Sequence, residues 1–166
     1  MRSTLLVIDQ ILTFPFQRLA HMFQRVSGGS TNFWLANWFL TLALFSSFGA
    51  TVRTAFLIGG IPASWFFLEA TLIALLIMLF RLNGKAEDDE TFRKERIRDE
   101  HTRPRVFVRI TLFMFLSQSL YLEVDKMFSE TWDVLYLYQS ILSGSLIAGL
   151  YLNACAPLSG LSRRRS

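Results

Sequence analysis

The stretch Phe33–Val52, FWLANWFLTLALFSSFGATV, decides the fold because its twenty residues carry no charge. An α-helix rises about 1.5 Å per residue, so about 20 residues cross a hydrocarbon core of about 30 Å. Three further apolar runs of similar length follow it: Pro62–Phe80, Val106–Val124 and Val134–Ala154. The sequence therefore predicts an all-α integral membrane protein with four transmembrane helices.

These runs divide the chain of 166 residues into five segments. Residues 1–31 are an expected amphipathic interfacial helix and hinge, with Asn32 next to it as a candidate helix cap. Residues 32–80 and 106–156 form two transmembrane hairpins, separated by a charged loop at 81–105. A basic tail, 157–166, ends the chain, so these segments leave no room for a separate soluble domain.

The basic residues are divided unevenly between the two sides of this predicted bundle. Fourteen of the seventeen Lys and Arg residues lie in the amino-terminal stretch, the loop 81–105 and the tail, whereas the other two connections hold only Arg53 and Lys126. The positive-inside rule then predicts that both termini and the loop are cytoplasmic. We expect a multi-pass protein of the cell inner membrane, of prokaryotic or viral origin. Its net charge of +4 fits this orientation without a nucleic-acid partner.

The amino-terminal segment is too polar to span, but its apolar residues recur at helical spacing. They are Leu5, Ile8, Leu12, Phe16, Leu19, Phe23 and Val26. This pattern predicts an amphipathic helix that lies in the inner interface. The alternative is that the same face packs on the protein's own cytoplasmic side.

The loop 81–105 holds eight basic and seven acidic residues. Asp89 and Arg93, like Glu90 and Lys94, are four apart with the acid first, which favours a helix. The loop is interpreted as a solvated helical arm. The alternative is a docking surface for a cytoplasmic partner.

Polar residues within the apolar runs are the candidate functional positions. Helix rise places six of them in one layer about a third of the way into the membrane: Ser46, Ser47, Glu69, Gln118, Gln139 and Ser140. In one hypothesis this layer joins the helices by hydrogen bonds. In the other, it lines a water-filled vestibule or an oligomeric pore in which Glu69 titrates. Arg109 lies nearer the inner face and is expected to be an inner-interface anchor that extends to the cytoplasm.

The last run carries the strongest packing signal, since small residues recur every four positions in two rows. Ser140, Gly144 and Ala148 form one row, and Ser145 and Gly149 form the other. Such rows let helix backbones approach closely. The partner helix is either in the same chain or in another copy.

No motif for catalysis, a cofactor or a metal occurs in the sequence. His21, His101 and Cys155 are too few and too scattered for a metal site. An enzyme is therefore not expected. The leading hypothesis is an accessory or scaffold subunit that binds the lipid bilayer and other membrane subunits or copies of itself. The alternative is a self-assembling pore, holin-like or a small channel or transporter.

Overall fold

The computed structural model describes residues 2–27, 31–60, 63–129 and 133–155. Within these ranges the chain is entirely helical. The six helices are α1 (Arg2–Ser27), α2 (Asn32–Ile58), α3 (Ala63–Asp88), α4 (Glu90–Glu100), α5 (Arg103–Phe128) and α6 (Val134–Ala154). The predicted tail, 157–166, and residues 28–30 of the predicted hinge lie outside the described residues.

The described residues of the predicted apolar runs fall within α2, α3, α5 and α6; Pro62, the first residue of the second run, lies outside the described ranges. Among the described residues, three segments are long and apolar enough to cross a membrane: Asn32–Ile58, Pro104–Phe128 and Val134–Ala154. The all-helical prediction is thus confirmed, together with three membrane-spanning candidates. The α2 helix ends at Ile58 and is capped by Gly59, whose φ of +72° is the left-handed conformation that glycine adopts most readily.

Helices α2 and α6 pack antiparallel and are joined by polar contacts at both ends. At one end, Asn32 Nδ2 donates to the carbonyl oxygens of Leu152 and Cys155 at 2.7 and 2.8 Å. At the other, Arg53 Nε and Nη2 donate to the two Asp133 carboxylate oxygens at 3.1 and 2.8 Å. We call the end with Asn32 and Cys155 the α4 end, because α4 lies beside it. We call the end with Arg53 and Asp133 the hairpin end, because α5 ends and α6 begins there.

Two glycines allow α2 and α6 to approach closely. A Cβ atom on Gly49 of α2 would lie 2.8 Å from the Tyr138 ring, and one on Gly149 of α6 would lie 2.8 Å from Leu40 Cδ2. Both distances are shorter than real Cβ contacts, so the absence of a side chain sets the spacing of the pair.

Helices α3 and α5 pack on the outer sides of this central pair. Asn83 Nδ2 of α3 donates to Asn37 Oδ1 of α2 at 2.7 Å. The α5–α6 pair is also antiparallel, and Phe113 contacts Tyr151 edge to face at 5.6 Å between ring centroids. The α1 helix runs across the α4 end, where Phe16 stacks on Tyr151 of α6 and Phe23 on Trp34 of α2.

The face that α1 turns toward the bundle combines polar residues with Phe16 and Phe23. Asp9, Thr13, Ala20 and Gln24 are buried, whereas apolar residues point away from the other helices, among them Leu5, Ile8, Ile11, Phe14, Leu19, Met22 and Val26. The helix thus packs on its own chain and leaves an apolar stripe uncovered.

Candidate functional site

A buried ion-pair cluster at the α4 end joins three helices. Arg109 of α5 has only 4% of its side chain exposed, and Asp9 of α1 only 3%. Arg109 Nε donates to Asp9 Oδ1 at 2.9 Å, and its Nη2 donates to Oδ2. Its Nη1 donates to the Glu100 carbonyl oxygen at 3.2 Å and to Glu100 Oε2 at 3.3 Å. The planar guanidinium can satisfy all these acceptors because its donors point in fixed, divergent directions.

This position of Arg109 differs from the inner-interface anchor expected from the sequence. The side chain does not extend to water, because two carboxylates from other elements reach it inside the protein. A buried charge is strongly destabilising unless it is paired and hydrogen-bonded. Asp9, which lies 100 residues earlier in the chain, supplies most of that pairing.

Arg96 of α4 lies in the same region with 7% of its surface exposed. Its guanidinium stacks over the Phe33 ring at 5.3 Å, and its Nη1 has no hydrogen-bond partner among the described residues. Burial lowers the pKa of Arg96, since desolvation disfavours the charged form. Asn153 of α6 is 4% exposed, and its Oδ1 likewise lacks a partner in the described part of the chain.

Both of these buried polar groups line a cavity of about 360 Å³. The cavity lies where α3, α4, α5 and α6 meet at the α4 end. Its walls also contain apolar side chains, among them Leu82, Val108, Leu112 and Leu150. Its volume falls in the range of small-molecule sites.

The polar layer predicted from helix rise divides into separate helix pairs in the structure. Ser47 Oγ of α2 donates to both Glu69 carboxylate oxygens of α3, at 2.9 and 2.7 Å, and Thr51 Oγ1 donates to Oε2 at 3.3 Å. Ser46 is buried beside them on α2. Among the described residues, the hydrogen bonds of Glu69 thus stay within the α2–α3 pair.

The other predicted members of the layer do not reach Glu69 in the described residues. Ser140 Oγ of α6 contacts Met127 Sδ of α5 at 3.6 Å, and Gln139 is half-buried. The side chain of Gln118 is exposed on α5. Helix rise estimates depth but not the direction of a side chain around its helix, and that direction separates Gln118 from Glu69.

Glu123 is a functional candidate that sequence reasoning missed. It accepts from Ser119 Oγ at 2.7 Å and from Ser143 Oγ of α6 at 3.3 Å. It is the next-to-last residue of the predicted run Val106–Val124, and it was not among the predicted polar positions. A carboxylate one helical turn after Ser119 was the available signal.

The small-residue face of α6 is used largely inside the chain. Ser145, Ala148 and Gly149 are buried, and Gly149 contacts Leu40 of α2. Gly144 differs, since a Cβ atom there would meet no atom within 4 Å. Ser140, in the same row as Gly144, faces α5 through Met127.

The arrangement can join helices through buried polar contacts, and it presents a basic, partly apolar cavity at one end. These are properties of binding and assembly; the described residues place no nucleophile and base together. No protein-family model, curated protein or solved structure matches the chain.

Proposed function

We propose that this chain is a four-span membrane protein that acts as a non-enzymatic accessory or scaffold subunit, and that it binds a partner membrane helix along α5. The observation that carries the proposal is the exposed side chain of Gln118 near the middle of that helix.

An outward amide in hydrocarbon is unfavourable because lipid tails offer it no hydrogen bond. Gln118 has no hydrogen-bond partner among the described residues, and its neighbours on the same face are large and uncovered: Phe107, Met114, Phe115, Tyr121 and Leu122. Only 11% of the apolar window of α5 is buried, compared with 33% in α2 and in α6. A partner helix that bonds to Gln118 would satisfy the amide and cover this face.

The fourth span of the proposal is α3. Its contacts with α2 run antiparallel from Glu69 to Asn83, and its 26 residues make it about as long as α2, which has 27. Bonds from Ser47 and Thr51 reduce the cost of placing Glu69 in the membrane. The same intrachain bonds favour the role of Glu69 in joining helices over a role in a pore.

The orientation follows from the basic bias of the sequence, with both termini and α4 in the cytoplasm of an inner-membrane protein. The uncovered apolar stripe of α1 then lies in the inner leaflet, as an interfacial helix would. An impermeant thiol reagent tests this in intact cells. It should label Ser129→Cys at the hairpin end and not Thr91→Cys in α4. Labelling of Thr91→Cys alone would reverse the orientation.

The partner proposal is tested by the size of the assembly in a mild detergent. The wild-type protein should migrate above monomer size on a native gel, and Gln118→Leu should return it to the monomer. Thr71→Val is the matched control, because Thr71 is exposed on α3. Among the described residues, its hydroxyl donates only to the Phe67 carbonyl of the same helix, at 2.8 Å. An unchanged assembly for Gln118→Leu would refute the proposal. A homo-oligomer that leaks dye from liposomes would support a pore instead.

A further inference from the structure

The cavity at the α4 end combines a charged lining with an apolar one. Arg96 and Arg105 line its charged end together with Glu100, and Met78, Leu112 and Leu150, which lie further from α4 along their helices, line its apolar part. Helices α3 and α5 form its two sides, with α6 between them and α4 across the end. This division places charge where the apolar helices give way to the charged segment, which is the depth of lipid headgroups in the proposed membrane orientation.

The arginines around the cavity differ in how far they are neutralised. Arg109 is held by Asp9 and Glu100, and Arg105 Nη1 lies 3.0 Å from Glu100 Oε1. Arg96 forms no ion pair with the described residues, and its Nη1 has no partner there although the residue is more than nine-tenths buried. A buried cationic donor without an acceptor is costly. The nearby Glu100 carboxylate attracts Arg96, and an anion in the cavity would give the unpaired donor an acceptor.

We propose that this cavity binds an anionic phospholipid, with the phosphate diester on Arg96 and Arg105 and one acyl chain between α3 and α5. Arginine pairs with phosphate through two parallel hydrogen bonds, and basic pockets between membrane helices bind acidic headgroups. The apolar wall is the part that a free phosphate ion would leave unfilled. The site is separate from the α5 face that carries Gln118, and it rests only on the proposed insertion in the membrane.

The test uses the full chain, delipidated in a nonionic detergent and titrated with phosphatidylglycerol, while native mass spectrometry counts the bound lipid. Wild-type protein should bind one lipid per chain. Arg96→Gln should weaken this binding about tenfold, as expected for one lost charged hydrogen bond. Arg98→Gln is the matched control on the same helix, because Arg98 is 80% exposed. It should bind as the wild type does.

A second variant keeps the proposal testable if Arg96→Gln does not fold. Leu112→Trp adds bulk to the acyl wall without removing a charge and should weaken lipid binding, whereas Phe56→Trp, at a position 80% exposed on α2, should not. Equal binding by wild type and both cavity variants would overturn the proposal. So would equal affinity for phosphatidylcholine, or competition by inorganic phosphate at the lipid's own concentration. Because bound lipid is counted per chain whatever the size of the assembly, a failed partner assay leaves this result interpretable.

Discussion

Replacing Asp9 by alanine should lower the free energy of unfolding by about 3 kcal/mol, because it leaves the buried Arg109 guanidinium with one carboxylate instead of two. Removing one partner of a buried ion pair typically costs about 3 to 5 kcal/mol. We take the lower end, since Arg109 Nη1 keeps its contacts with the Glu100 carbonyl at 3.2 Å and carboxylate at 3.3 Å.

Thermal unfolding in a mild detergent, followed by circular dichroism, measures this change. A loss of about 3 kcal/mol corresponds to a fall in Tm of about 6 to 12 °C for a chain of this size. Asp88→Ala is the control, because Asp88 is exposed at the end of α3. Its Tm should change little, as for most surface substitutions.

A double variant separates the pair from other effects of the Asp9 side chain. Asp9→Leu with Arg109→Met replaces both charges by apolar groups of similar size, which is often neutral in buried ion pairs. The double variant should therefore be more stable than Asp9→Ala. An equal Tm for Asp9→Ala and the wild type would refute the buried ion pair. So would additive losses of stability from Asp9→Leu and Arg109→Met in the double variant.

Three further predictions concern the contacts between helices. Gly149→Val should lower stability by about 1 to 3 kcal/mol through overpacking, whereas Gly144→Ala should leave Tm unchanged; equal Tm values for both would contradict the close contact. Glu69→Gln should preserve the fold because its amide oxygen still accepts, and Glu69→Leu should cost about 1 kcal/mol in the same assay; a large loss for the glutamine variant would argue for a titrating role. The Arg53 guanidinium lowers the pKa of Asp133 to about 2, so its stabilisation is present above the ordinary carboxyl pKa and disappears as pH falls from about 4 to 2. Asp133→Asn should remove that part of the acid dependence of Tm, and an unchanged acid profile would count against the ion pair.

The helices were predictable because length, apolarity and helical spacing are local properties of the chain. The described residues of all four apolar runs lie within helices, and Glu90 and Lys94 form the expected pair at 2.8 Å. Local rules were less successful at helix starts. Thr31 caps α2, and the neighbouring Asn32, a candidate cap from the sequence, instead bonds to the end of α6.

The candidate site was largely beyond local reasoning because its partners come from distant parts of the chain. Nothing around Asp9 indicates that it meets Arg109, since periodicity identifies a polar face but not what covers it. The same limit applies to Arg96, which looked like one of many charges on a solvated arm and is buried over Phe33. Depth along a helix could be estimated, whereas the rotation that turns Gln118 outward could not.

The pairing of Asp9 with Arg109 also determines when this protein can finish folding during its synthesis. Translation at about 5 to 20 residues per second delivers Arg109 about 5 to 20 s after Asp9, and α6, on which α1 packs, emerges later still. Until then the first helix has its contact with α2 but lacks the docking surface that α5 and α6 supply, and its apolar stripe can rest on the bilayer. Contacts of such high sequence separation form slowly. A nascent chain stalled before α5 would thus expose its amino terminus to protease, and the completed chain would protect it.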